Sequence, residues 1–120
     1  MMTTFEKGRQ GEEEALAFFQ EEGYTALERN YRRPRGEIDL IVRRGDEIIF
    51  AEVKRWASLS AGDLEQGIPR RKMRRIMETS KFYLMEHPEF DGFSIRYDVL
   101  FVPGTGRKVH HIQDAFREEG

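Results

Sequence analysis

Two short stretches of the chain place charged side chains in predicted strands that are otherwise apolar. They are residues 36–41 (GEIDLI) and residues 50–54 (FAEVK). Gly45-Asp46 lies between them, and Gly-Asp between two apolar runs is typical of a two-residue hairpin loop. That hairpin sets Asp39 opposite Glu52. It also sets Glu37 opposite Lys54.

Because side chains alternate along a strand, these four charged residues share one face of the predicted hairpin. Buried charge costs several kcal/mol unless it is paired or bound to a metal. The cluster therefore indicates a divalent-cation site. The alternative is a solvated face that carries cross-strand Glu–Lys pairs. Apolar residues on both faces favour covered strands instead: Ile41, Ile48 and Phe50 on the charged face, and Ile38, Leu40, Ile49, Ala51 and Val53 on the other.

The composition predicts one domain spanning residues 1–120 and excludes several functional classes. Hydrophobic residues make up 38% and charged residues 35%, which is too apolar for disorder. No apolar run approaches the roughly 20 residues of a membrane span, and the start has no signal-peptide core. The chain has no cysteine, hence no disulfide or Cys-bound zinc, and a reducing cytoplasm is the expected location. Nucleotide-binding glycine motifs are also missing.

Basic residues are concentrated in two segments, although the formal net charge is -2. The first contains Arg29, Arg32, Arg33 and Arg35, and the second contains Arg70, Arg71, Lys72, Arg74 and Arg75. The second segment follows Pro69 at a predicted helix start, where free N–H groups and the helix dipole favour an anion. We therefore expect a phosphate-binding patch. The alternative is ordinary solvated surface.

The predicted elements follow the order αβββαββ. The first helix runs from a Thr3–Glu6 capping box to Gly23 and carries Glu12 on its apolar stripe. Two interpretations of Glu12 remain: its carboxylate points inward and has a polar partner, or it lies at the solvent-exposed end of the stripe. The predicted strands cover residues 24–31, the two arms of the hairpin, residues 95–102 and residues 109–112 after a Gly104-Thr105-Gly106 turn. A loop over residues 56–68 precedes the second helix, in which Lys72 lies at the edge of the buried stripe.

The chain resembles the bacterial YraN-like family, which is similar to archaeal Holliday-junction resolvases and belongs to the PD-(D/E)XK nuclease superfamily. Asp39 followed by Glu52-Val53-Lys54 matches the superfamily pattern. The other matching segments are residues 8–15 (GRQGEEEA), 30–31 (NY), 36–41 (GEIDLI), 96–99 (RYDV) and 111–116 (HIQDAF), together with Lys72. One departure is Trp56, because the family commonly has an arginine there, whereas this chain has Arg55 one place earlier.

The resemblance implies an α/β restriction-endonuclease-like core, with a central mixed five-stranded sheet flanked by helices. It also implies Mg²⁺, or Mn²⁺ in its place, held by the carboxylates of Asp39 and Glu52 and the backbone of Val53. Lys54 would lie beside the attacking water, Glu12 would be the helix carboxylate of the site, and Glu37 would support it.

The expected function is Mg²⁺-dependent hydrolysis of DNA, including branched or structured DNA. The expected nucleic-acid contacts come from Arg35, Arg55, Arg70, Arg71, Lys72 and Arg74. The alternatives are a non-catalytic nucleic-acid-binding module and a protein-interaction domain with the same fold. The sequence leaves open whether the chain acts alone or as a homodimer.

Overall fold

The architecture is a mixed α/β sheet with one helix packed on each face. A computed structural model of the chain describes residues 3–55, 68–103 and 108–118. Its elements are α1 (Thr4–Glu21), β1 (Thr25–Arg33), β2 (Gly36–Arg44), β3 (Glu47–Arg55), α2 (Arg70–Glu86), a 3-10 turn (Pro88–Phe90), β4 (Ser94–Val102) and β5 (His110–Phe116). This order confirms the predicted αβββαββ arrangement. No helix among these residues has the length and apolar character that a membrane crossing requires.

The five strands form one sheet in the order β1-β2-β3-β4-β5. Neighbouring strands are antiparallel except β3 and β4, which are parallel. Parallel neighbours need a crossover connection, and α2 lies in the segment that makes it. The mixed five-stranded sheet predicted from the sequence is therefore confirmed.

Both faces of the sheet are covered, which is why apolar residues occur on both sides of the hairpin. On the α2 side, Ile41, Ile48 and Phe50 are fully buried in one cluster that also contains Tyr83 of α2. A second cluster on the α1 side contains Ala15 and Phe19 of α1, with Leu40, Val42, Ile49 and Ala51 of the hairpin. The central strands are therefore not a solvated face.

The predicted hairpin turn is confirmed, and two strand ends differ from the prediction. Arg44 pairs with Glu47 across Gly45, which has a φ of 59°. β1 extends to Arg33, and β5 extends to Phe116, where it pairs with Tyr97 of β4. A register shift near the end of β5 breaks its apolar alternation, so the sequence pattern shows only its first half. Residues 56–67 and the predicted turn at residues 104–106 lie outside the described residues.

One prediction about the hairpin is wrong, because the side-chain alternation of β2 breaks at Asp39. Alternation predicts that Ile38 and Leu40 share a face, but Ile38 lies in the α2-side cluster and Leu40 in the α1-side cluster. The β2–β3 ladder ends at the Leu40–Ala51 pair, so Asp39 and Glu52 are not ladder partners, nor are Glu37 and Lys54.

The first residue of β2 fixes how closely α2 approaches the sheet. A Cβ atom at Gly36 would lie 2.6 Å from Thr79 Oγ1 and 3.1 Å from the Arg75 carbonyl oxygen. Both contacts are with α2, so only glycine permits this approach without a shift of the helix. The close packing brings the first turns of α2 beside the end of the β2–β3 ladder.

Candidate active site

Asp39 lies where β2 and β3 stop pairing, and its side chain replaces a ladder hydrogen bond. The Val53 N–H donates to Asp39 Oδ2 at 2.8 Å. The Asp39 carboxyl group also lies close enough to Glu52 for the two groups to interact electrostatically. The two side chains therefore interact across the end of the ladder rather than as paired residues, and a metal ion shared between them stays a prediction.

The surroundings of Asp39 disfavour its ionised form. Burial, followed by the negative charge of Glu52, raises the pKa of Asp39 to about 8. The Val53 N–H and the Lys72 ammonium lower the pKa of Asp39, but by less than burial and Glu52 raise it. At neutral pH the Asp39 carboxyl group is therefore largely protonated. This pair therefore carries negative charge that a bound cation would stabilise.

Glu52 is the more deeply buried member of the pair and has a cation from the opposite layer as its partner. Its side chain is only 5% exposed and forms an ion pair with Lys72, which is 45% exposed. Lys72 comes from the first turn of α2. This contact links α2 directly to β3.

Lys54 and Glu37 lie near the pair, and within the described residues neither forms an ion pair with it. Lys54 is half-buried two residues after Glu52 in β3, and strand alternation puts both side chains on one side. Across the same described ranges, Lys54 forms no ion pair of any kind. Glu37 instead pairs with Arg32 at 3.4 Å, and both side chains are exposed.

Glu12 of α1 reaches β1 rather than the carboxylate pair. Asn30 Nδ2 donates to Glu12 Oε2 at 2.9 Å, so this inward carboxylate has a polar partner. Asn30 lies between two residues whose ladder partners flank Asp39, and its φ is 52°. Asparagine tolerates this left-handed conformation better than most residues. Sequence reasoning did not identify Asn30 as a site residue, although asparagine inside a strand is the signal for such a position.

A basic groove lies beside Glu52, between the β1–β2 turn and the first turns of α2. Its volume is about 1190 Å³. The charged residues that line it are Arg32, Arg33, Arg35, Glu37, Arg71, Lys72, Arg74, Arg75 and Glu78. We call this concavity the basic groove. It brings together four of the six predicted nucleic-acid contacts, namely Arg35, Arg71, Lys72 and Arg74.

Two predicted nucleic-acid contacts do not line the basic groove. Arg70 is exposed at the first position of α2 but is absent from the groove lining. Arg55 packs beside α1, since its Cγ would lie 3.4 Å from a Cβ atom at Gly11. Trp56, where the family commonly has arginine, lies outside the described residues.

The donor atoms of the pair suit a hard divalent cation. Mg²⁺ takes about six oxygen ligands, keeps several waters and binds through one or two carboxylates. Asp39 and Glu52 supply those carboxylates, and Val53 follows directly in β3. Within the described residues, no group of three or more acidic, histidine or cysteine side chains is arranged to hold a metal ion. Waters and a substrate phosphate would have to complete the coordination.

A second buried carboxylate, Asp98 of β4, lies outside the predicted site. Asp98 is 0% exposed and accepts hydrogen bonds from Arg96 at 2.8 and 2.9 Å, from His111 at 2.6 Å and from the Asp114 N–H at 2.9 Å. Burial alone raises its pKa, but the bonds from His111, Arg96 and Asp114 outweigh burial and hold the pKa below its usual value. We call this cluster the Asp98 centre.

Comparison with known proteins identifies relatives along nearly the whole chain. A family model described as "Uncharacterised protein family UPF0102" matches residues 11–102. A UPF0102 protein of Persephonella marina is 34% identical over 96% of this chain and 97% of its own length. A UPF0102 protein of Halorhodospira halophila is 38% identical over 95% of this chain and 89% of its own length. A third, from Syntrophus aciditrophicus, is 39% identical over 97% and 92%. Their names assign no activity.

Proposed function

The chain belongs to the UPF0102 family, and we propose that it is a Mg²⁺-dependent nuclease that hydrolyses phosphodiester bonds in DNA. The observation that carries the proposal is the contact between two carboxyl groups, Asp39 and Glu52, at the edge of a groove lined with basic residues. The raised pKa of Asp39 beside the buried Glu52 supports a site that a cation would stabilise. Metal-dependent phosphodiester hydrolysis would use the carboxylates to hold the cation and the basic groove to bind the substrate phosphates.

Asp39 and Glu52 would hold the cation, with Val53 beside them in β3. When bound, a divalent ion polarises the scissile phosphate and lowers the pKa of a bound water. Lys54 has no ion-pair partner among the described residues, and it lies on the same side of β3 as Glu52. Its ammonium would orient the attacking water or stabilise the charge that develops on the phosphate. Glu12, fixed by Asn30, would act from the α1 side.

The substrate class follows from the basic groove. Arg71, Arg74 and Arg75 line it and make no ion pair within the described part of the chain. Such side chains bind phosphates without regard to base sequence. A groove of about 1190 Å³ lined by several arginines can hold more than one backbone phosphate, and we propose DNA, branched or otherwise structured, as the substrate. For the cellular location we propose the reducing cytoplasm, which suits a chain without cysteine.

A non-catalytic nucleic-acid-binding module is the second candidate function. The observation in its favour is the ion pair of Glu52 with Lys72, which already neutralises one of the two carboxylates. In that case the basic groove would still bind nucleic acid, while the pair would only stabilise the packing of α2 on β3. A protein-interaction domain would require neither nucleic-acid binding nor metal binding.

Cleavage and binding measured side by side distinguish the three functions. Labelled linear, flapped and four-way DNA, and matched RNA, would be incubated with the protein in Mg²⁺, Mn²⁺ or EDTA. Cleavage that depends on the metal supports the nuclease. Binding without cleavage in any metal supports the binding module, and the absence of both supports the interaction domain. Sedimentation of the complexes would show whether one copy or two copies bind each substrate.

A further inference from the structure

Lys72 is the one residue in the described part of the chain that touches the carboxylate pair and also lines the basic groove. Its ammonium contacts Glu52, and its side chain is 45% exposed on the groove side. Arg71 and Arg74 line the same groove without contacting Asp39 or Glu52. Lys72 therefore stands between the proposed metal site and the proposed phosphate path.

The position of the ammonium conflicts with a cation at the pair. Lys72 contacts Oε1 of Glu52, one of the two oxygens of the carboxylate that would hold the divalent ion. Two cations on one carboxylate repel each other, and the effect is strong where water is largely excluded. Lysine carries a compact charge on a flexible four-carbon stem, so it can leave one anion for another without moving the helix. The basic groove, which Lys72 lines, is the space into which its side chain can turn.

We propose that Lys72 exchanges between two anions: it neutralises Glu52 when no divalent cation is bound, and it turns into the groove to bind a substrate phosphate when the cation takes Glu52. This inference rests on the proposed function, because it assumes a cation at the pair. It makes Lys72 a positioning residue that couples the two ligands. By linkage, a bound cation then increases affinity for the phosphate backbone, and the backbone increases affinity for the cation by the same factor.

A permanent ion pair is the competing interpretation. In that case Lys72 stays on Glu52 in every state and stabilises the packing of α2 against β3. Its removal would then leave a buried carboxylate without a partner, and it would affect folding more than any ligand. The two interpretations predict opposite behaviour for the affinity of the metal.

The test is a calorimetric titration with Ca²⁺ and with Mg²⁺ at pH 9, where few protons remain on the pair. The variants are Lys72→Met, which removes the competing charge, and Lys72→Arg, which keeps it. Arg71→Met is the matched control, since it removes a groove cation that does not touch Glu52. Asp39→Asn reports whether the ion binds at the pair at all. Thermal melts show which variants are folded.

Exchange predicts that Lys72→Met binds the metal about five- to tenfold more tightly, while Lys72→Arg and Arg71→Met do not gain affinity. In anisotropy measurements with a labelled DNA, Ca²⁺ should strengthen binding by wild type and by Arg71→Met. The same addition should have little effect on Lys72→Met. The Arg71→Met variant should bind DNA more weakly with and without Ca²⁺.

Three different results would overturn the exchange. Unchanged or weaker metal affinity in folded Lys72→Met, with binding that Asp39→Asn abolishes, means that Lys72 is a permanent partner, and the proposed nuclease survives. If Lys72→Met does not fold, a Lys72→Arg variant that binds metal more tightly than wild type contradicts the competition. If wild type and Asp39→Asn bind metal equally, or if neither binds it, no metal is held at the pair and the proposed function fails as well. Failure of the exchange alone is thereby distinguished from failure of the proposed function.

Discussion

The Asp39–Glu52 pair and the Asp98 centre are both built from buried acidic side chains, but their partners differ. The hydrogen bonds to Asp98 favour its charged form, because Arg96, His111 and the Asp114 N–H all donate to it. Asp39 receives one backbone N–H and otherwise faces another carboxyl group. The pKa of Asp98 is accordingly lowered, and the pKa of Asp39 is raised to about 8.

This difference separates a carboxylate that holds the fold together from a pair that is available to a ligand. Asp98 ties β4 to β5, and His111 carries the connection to α1, where its ring lies 5.2 Å from Phe18 and 5.5 Å from Phe19. A ligand could reach Asp98 only by displacing these groups. Glu52 of the Asp39–Glu52 pair contacts Lys72, which lines the basic groove, so a cation would displace only this partly exposed lysine and the proton on Asp39.

The largest expected difference between the two regions is in catalysis. Asp39→Asn and Glu52→Gln should each reduce Mg²⁺-dependent cleavage by about a thousandfold or more, since the metal supplies several kcal/mol of transition-state stabilisation. Asp98→Asn, measured on protein that is still folded, should retain most of the activity. Single-turnover cleavage of the best DNA substrate checks this. Equal losses in all three variants would erase the distinction.

The next largest difference is in stability, and it runs the other way. Asp98→Asn should lower the free energy of unfolding by about 3 kcal/mol, because it leaves Arg96 and His111 without their buried partner. Asp39→Asn should leave it unchanged or raise it in metal-free buffer, since at pH 7 the folded wild type keeps a proton on Asp39 that the unfolded chain has lost. Urea unfolding at pH 7 in EDTA measures both. A large loss in Asp39→Asn would favour a structural role for the pair.

The sequence predicted the parts of this comparison that depend on local patterns. The Gly45-Asp46 turn fixed the hairpin and therefore the proximity of Asp39 and Glu52. The reversal of Ile38 was not predictable from β2 alone, because it occurs where the ladder ends. That end lies against the left-handed Asn30 in β1 and near the close packing of Gly36 on α2.

The remaining differences arise from contacts that are distant in sequence. Asp98 and His111 are 13 residues apart, and no spacing rule predicts that their side chains meet across β4 and β5. The lining of the basic groove could not be predicted either, because it depends on the orientation of α2 about its own axis. That orientation puts Arg71 and Arg74 in the lining and leaves Arg70 outside. Whether Glu12 and Lys54 take part in catalysis stays a prediction.

A pH series distinguishes the two centres through the sign of their effects. The folded pKa of Asp39, about 8, lies above its unfolded value of about 3.9, so the folded state binds the extra proton. Its contribution is complete below about pH 4 and is lost as the pH rises toward 8, by at most about 1.4 kcal/mol per pH unit. Asp98 has a lowered pKa, so its contribution is present above about pH 3.9 and is lost only in acid.

Urea unfolding between pH 5 and pH 9 in EDTA measures this slope. Wild type should lose stability with rising pH, and Asp39→Asn should lose less. Saturating Mg²⁺ should reduce the loss, because the cation binds the deprotonated pair and stabilises the folded state. Identical pH profiles for wild type and Asp39→Asn would show that the proton is not held at this pair.

The smallest expected effect compares arginines from the two regions in nucleic-acid binding. Arg71 and Arg74 line the basic groove, whereas Arg117 pairs with Asp114 beside the Asp98 centre. Replacement of both groove arginines by glutamine should weaken binding to all DNA sequences alike. It should also reduce the slope of log K against log salt by roughly 0.9 for each phosphate that the protein no longer binds. Arg117→Gln, an equally exposed control, should leave the slope unchanged. Anisotropy titrations at several salt concentrations provide the slopes. Equal slopes in wild type and the double variant would mean that the groove arginines are solvated surface, and that the pair has no phosphate path beside it.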